Sequence, residues 1–145
     1  MISIRKRGLC LMLVLCTVFM ALSGYPKPAK AAITYNNTFS ATVNCYIHSN
    51  GKIRTTLSLD GFKNKTTRIQ ADVYIEKSIL GIFWTRVDIG YTNNVWHDST
   101  TNYSYSNWFD VQLNSTGTYR VTVTYTVSGT GGADDIIVLT DTTTY

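Results

Sequence analysis

Two prolines are all that this 145-residue chain contains, and both, Pro26 and Pro28, fall before residue 32. Beyond them nothing fixes φ or removes a backbone donor, so a proline-rich linker dividing the rest of the chain is excluded. Cysteine is as sparse. Cys10 and Cys16 lie within the first 31 residues, leaving Cys45 alone, which excludes an internal disulfide and a thiolate metal cluster in the remainder. Histidine occurs only at His48 and His97, too far apart for a His-x-His ligand pair. After residue 31 no apolar run approaches the roughly 20 residues that a membrane-spanning helix needs.

What the first 31 residues do have is the three-part plan of a secretory signal peptide. "MISIRKRG" carries Arg5, Lys6 and Arg7, "LCLMLVLCTVFMAL" is an unbroken apolar run, and Ala29 and Ala31 of "AKA" are small residues where a signal peptidase reads. Residues 1–31 are therefore expected to be removed, leaving residues 32–145 as one secreted, extracellular domain without a membrane span. Leu15 before Cys16 argues against a lipoprotein site. No sortase-type motif or hydrophobic tail precedes Tyr145, so covalent anchoring is not expected.

The signal also carries the charge imbalance. Of 13 basic residues, Arg5, Lys6, Arg7, Lys27 and Lys30 precede residue 32, whereas all nine acidic residues follow it. Eight basic groups against nine acidic ones leave the domain at about −1. It lacks the clustered Lys and Arg that grip a phosphate backbone, so no nucleic-acid partner is expected.

From residue 38 the dominant period is two, the mark of strands with one buried face. Phe39, Ala41, Val43, Cys45 and Ile47 are expected inward on a first strand, and Ile53, Thr55, Leu57 and Leu59 on a second after the turn "SNGK". Ile69, Ala71, Val73 and Ile75 line a third. A fourth is expected through "FWTRVDIGY", with Val87, Ile89 and Tyr91 on one face, followed by a polar connection "TNNVWHDSTTN". "YSYSNWFDVQL", residues 119–127 and "DIIVLTDTTTY" complete seven strands, the last after the glycine-rich turn "GTGGAD". Turn signals about every dozen residues and the lack of a helical period predict an all-β antiparallel sandwich.

Leu113, Gly117 and Tyr119 have the L-x-x-x-G-x-Y spacing of a tyrosine corner, in which a Tyr hydroxyl at the start of a strand bonds back to the preceding crossover. The stretch resembles immunoglobulin-like Greek-key sandwiches. The wider pattern is similar to that of uncharacterised small secreted β-sandwich proteins of Gram-positive bacteria. That likeness rests on the signal peptide, the lone Cys45 on a strand, "VYIEK" followed by "WTRV" across a hairpin, and "GTYRV" before a terminal strand. The resemblance implies a seven-stranded immunoglobulin-like Greek-key fold and an extracellular location, and lends no catalytic residue.

Signals for chemistry are thin. Cys45 and His48, three apart on one strand, fall on opposite faces and cannot pair as nucleophile and base; Cys45 shares its face with Val43 and Ile47 and reads as an inert buried thiol. Asp134 and Asp135 could grip calcium with loop carbonyls but more simply cap a solvated hairpin. Glu76 and Asp88 are outward on neighbouring predicted strands, with Arg86 within reach as a partner, so a glycosidase-type carboxylate pair is the minor reading. No enzyme activity, cofactor or metal is expected.

Two segments suggest binding instead. In "VWHDSTTNYSYSNWFD", Trp96, Tyr103, Tyr105 and Trp108 alternate with short polar side chains, a composition suited to sugar rings and their hydroxyls. Strand parity sets Trp108 on the face opposite Tyr103 and Tyr105, so the four cannot all share one platform. In "SILGIFW", Ile79, Leu80, Ile82 and Phe83 surround Gly81 at a hairpin tip where polar turn residues are usual. This tip either closes the open end of the sandwich or, if exposed, contacts a protein or membrane. The sequence therefore predicts a monomeric secreted binding module whose ligand is a glycan or a protein.

Overall fold

The computed structural model describes residues 34–145; the expected signal peptide, residues 1–31, lies outside the described residues. Eight strands follow in order: β1 (Thr38–Ile47), β2 (Lys52–Gly61), β3 (Thr66–Ile79), β4 (Phe83–Arg86), β5 (Trp96–Thr100), β6 (Ser104–Gln112), β7 (Thr118–Gly129) and β8 (Asp135–Thr144). All ladders are antiparallel and form two sheets. One has the order β1-β2-β6, and the other the order β4-β3-β7-β8. β5 joins the second sheet on the edge of β3 that β4 also uses, pairing residues 69–73 while β4 pairs residues 76–79.

Alternation puts the apolar side chains between the sheets. Ile53, Leu57 and Leu59 of β2 face Ile69, Val73 and Ile75 of β3 and Val121, Val123, Tyr125 and Val127 of β7, all wholly enclosed. Burying each large apolar side chain is worth roughly 1.5–3 kcal/mol, and these central strands carry most of it.

Three expectations need correction. Among the described residues there are eight strands rather than seven, because the expected fourth strand stops at Arg86. Gly90 at φ 79 and a 3-10 turn at Thr92–Asn94, with Asn93 and Asn94 also at positive φ, turn the chain out of the sheet. It returns as β5 inside the stretch expected to be a polar connection. Ile89 remains buried and Val87 partly so, but Tyr91 is exposed. Lastly, a bulge between Thr38 and Ser40 shifts the register of β1, so that Thr38 is buried and Phe39 faces solvent.

Side-chain bonds hold the edges and the crossover. The Tyr119 hydroxyl, at the start of β7, donates to the Ser115 carbonyl in the β6–β7 connection. Gly117, at φ 144, exchanges backbone bonds with Tyr145, so the connection also clasps the end of β8. On the other side β1 runs beside β8, joined by carboxylates rather than by a ladder. Asp135 accepts from the amides of Asn36 and Asn37 and from the Thr38 hydroxyl, and Asp141 accepts from the Cys45 amide. The edge amide of Cys45 and the amides just before β1 are thereby satisfied where no strand pairs them.

Candidate functional site

The hairpin joining β3 and β4 extends beyond the rest of its sheet. β7 accompanies β3 only as far as the Lys77–Tyr119 pair, and past that point β3 is paired with β4 alone, ending at Ile79–Phe83. Past Lys77 the hairpin therefore has no neighbour on the β7 side within its own sheet. Ile79 is 42% exposed, Leu80 87%, Ile82 71% and Phe83 65%. Of the two outcomes open at this tip, the exposed one is found; the residues do not fold over the core.

The turn itself is unusual in its chemistry. Leu80 at φ 54 and Gly81 at φ 71 are its central pair, with the Ile82 amide donating to the Ile79 carbonyl. Consecutive positive φ values suit a tight hairpin, where Asn-Gly is the usual choice. A leucine there is held in a conformation that costs an L-residue roughly 1–2 kcal/mol, and its side chain gains no burial in return.

Below the tip lies a collar of cations and aromatic rings. Arg86 is exposed with its guanidinium 3.8 Å from the Tyr74 ring centre, and Arg120 lies 4.3 Å over the half-buried Trp84. Arg120 also binds Glu76 at 2.6 Å, so Glu76 is not the partner expected for Arg86. The Lys77 ammonium donates to the Ser115 hydroxyl at 2.6 Å and sits near the Tyr119 ring. Among the described residues no carboxylate forms an ion pair with Arg86 or Lys77.

The aromatic segment does not assemble as one surface. Trp96 turns inward and stacks on the buried Phe109, with ring centres 4.7 Å apart and planes 11° from parallel. Tyr105 is also buried, edge-on to Tyr125, and donates to Asp98, which additionally accepts from Asn107. Burial first, and the Asp98 carboxylate second, push the Tyr105 phenol well above its ordinary range. Tyr103 is exposed just before β6, and Trp108 faces outward from the middle of that strand at 55% exposure.

Trp108 instead joins residues that the sequence reading left unconnected. On the outer face of the β1-β2-β6 sheet, Tyr46, Arg54 and Asp110 lie in one cross-strand row. The Arg54 guanidinium makes two 2.7 Å bonds to Asp110 and stacks 4.1 Å over Trp108. The bond from Arg54 holds the Asp110 carboxyl below its usual range. Arg54 was invisible as a site residue because only the strand register brings it beside Trp108.

The remaining polar groups are spread over different faces. On the outer face of the larger sheet His97 Nδ1 lies 2.7 Å from Asp72, beside an open depression of about 390 Å³ lined by Arg68, Gln70, His97, Asp98 and Ser99. Asp98 turns its carboxylate inward to Tyr105, so it does not converge with Asp72. Asp88 lies in the loop after β4 and accepts from the Gly90 amide, and Glu76 is held by Arg120. Glu76 and Asp88, the carboxylates expected as a pair, thus each have a separate partner. Asp135 spends both oxygens on backbone and hydroxyl donors, and Asp134 accepts from Ser128.

Cys45 is enclosed between the sheets. Burial, reinforced by the nearby Asp141 carboxylate, pushes its thiol up to about 12. Among the described residues no helix is long and apolar enough to cross a membrane. The chain matches no protein-family model and no curated protein.

Proposed function

We propose that residues 32–145 form a secreted immunoglobulin-like Greek-key module that works outside the cell, or at its surface, by binding through the β3–β4 tip. The carrying observation is that Ile79, Leu80, Ile82 and Phe83 are all exposed on a turn whose backbone is unfavourable for the leucine it holds. Exposed apolar tips are costly for solubility and mark contact sites. The fold part of the reading is supported by the strand order: β6 follows β5 across to the smaller sheet, and β7 returns through the connection pinned by Tyr119. Export rests on the sequence of residues 1–31, and a Gram-positive source on the resemblance described above.

The test is a fluorescent label placed on Ile82→Cys and, separately, on Thr140→Cys of the outer sheet face, each mixed with bacterial cell-envelope fragments. Buried Cys45 does not compete for the label at neutral pH. The tip label should shift its emission and the sheet label should not. A protein that sediments with envelopes while the tip label stays unchanged binds elsewhere, and the tip reading fails.

A glycan is the second reading, and Trp108 is the observation that favours it. An exposed indole fixed by a salt-bridged arginine presents an apolar face beside hydrogen-bonding groups. Titration with wall and host polysaccharides should then change the fluorescence of the parent chain but not of Trp108→Ala. A flat response in both discards the glycan.

A further inference from the structure

We propose that the partner of the tip is a lipid bilayer with anionic headgroups, into which Ile79, Leu80, Ile82 and Phe83 insert while Lys77 and Arg86 stay at the level of the phosphates. The inference rests on the contact role assigned above to the tip and names what it contacts.

Shape and size separate a bilayer from a protein. A stable protein complex buries about 800 Å² on each partner, usually across a broad patch with a polar rim. The tip is a three-residue turn between two residues of a ladder, protruding beyond the neighbouring strand. It makes a point contact unless the partner closes around it. A bilayer encloses a convex apolar point on every side, and each side chain that enters leaves water completely.

Charge selects the headgroups. Lys77 and Arg86 are the charged residues of the hairpin between residues 77 and 87; of the two acids that flank it, Glu76 is taken up by Arg120 and Asp88 lies in the loop after β4. At about 3.3 Å per strand residue, Arg86 lies roughly 10 Å back from Phe83 along β4. That spacing suits an apolar tip below the headgroups and a guanidinium among them. Trp84 and Tyr74, held on the outer face by Arg120 and Arg86, stand in the same zone, where amphipathic rings are favoured at membrane interfaces.

The strained turn fits the same role. Asn at position 80 would satisfy the backbone without cost but would put an amide at the apex. Leucine keeps the apex apolar.

The experiment uses the full domain and two sets of protein-free vesicles, phosphatidylcholine alone and phosphatidylcholine mixed with phosphatidylglycerol. The label at Ile82→Cys should move to shorter wavelength with the phosphatidylglycerol vesicles, be quenched by lipids brominated near the headgroup, and respond less as salt rises. In sedimentation, Leu80→Asn should weaken partitioning by about tenfold, and Arg86→Gln by several-fold. Equal binding to both vesicle types overturns the anionic requirement. Vesicle binding that survives Leu80→Asn and leaves the label unquenched overturns insertion of the tip. If the label responds to cell envelopes but to neither vesicle, the lipid inference falls and the contact role of the tip stands, with a protein or wall polymer as its partner. Quenching is measured on a chain that retains Leu80, so the result does not hang on the folding of that variant.

Discussion

The Asp141 carboxylate accepts the backbone amide of Cys45 at 2.7 Å, joining β8 of one sheet to β1 of the other without a strand ladder. A charged acceptor on an edge amide is a strong bond, and truncating it leaves the donor unpaired beside the core. Asp141→Ala should therefore cost about 1.5–3 kcal/mol of stability, measured by urea denaturation. A loss within a few tenths of a kcal/mol would show that water serves the Cys45 amide equally well.

The Cys45 thiol, pushed up from 9.0 to about 12, gives the fold an alkaline weakness. The unfolded chain releases its proton near 9.0 and the folded chain does not, so the contribution is intact below pH 9 and is lost as pH rises towards 12. Stability should fall through that window in the parent and fall less in Cys45→Ala. At pH 8 the folded thiol should resist a disulfide reagent that reacts promptly once urea is added. Equal reactivity in both states would place Cys45 at the surface.

Tyr119→Phe removes the donor to the Ser115 carbonyl and leaves the ring in place. Stability should drop by about 1 kcal/mol, with envelope and vesicle binding unchanged in the folded variant. Loss of binding there would give Tyr119 a part in the contact surface, which its neighbour Lys77 makes a meaningful control.

Thr55 is wholly buried on β2, and among the described residues its hydroxyl has no hydrogen-bond partner. Thr55→Val keeps the shape and removes the unsatisfied group, so thermal denaturation should show a gain of about 1 kcal/mol. A loss instead would mean that an internal water bonds the hydroxyl.

Leu80→Gly tests the turn apart from its partner. Relief of the left-handed strain should raise stability by about 1 kcal/mol, partly offset by the freer unfolded chain. Tip binding should weaken in the same variant. Stability and contact moving in opposite directions is the signature of a residue kept for its surface.

Much of the sandwich could be read from alternation, because Ile69, Val73, Tyr125 and Val127 are enclosed on one face and their neighbours are not. The break between β4 and β5 could not. Val87 and Ile89 continue the buried period after the strand has ended, and "WHDST" looks like a loop because β5 is a polar edge strand. Its one large inward ring, Trp96, finds Phe109 thirteen positions away on the opposite sheet. For the site, composition flagged both the tip and the aromatic segment. Whether the tip was open depended on how far β7 follows β3, and Trp108 acquired Arg54 only through the β2–β6 register. Asp135 read as part of a solvated hairpin and Asp141 carried no signal, since nothing local says that a carboxylate will take up the amides of a segment about a hundred residues earlier.

The carboxylate seam also determines how the domain bears load. Asp135 meets residues 36–38 and Asp141 meets Cys45, so β1 and β8 ascend side by side in the same direction. A pull that draws the start of β1 away from the end of β8 slides the two strands past one another instead of peeling them apart. Both aspartates then yield together, and a module fixed at one end to a surface and dragged by the other resists as a shear joint.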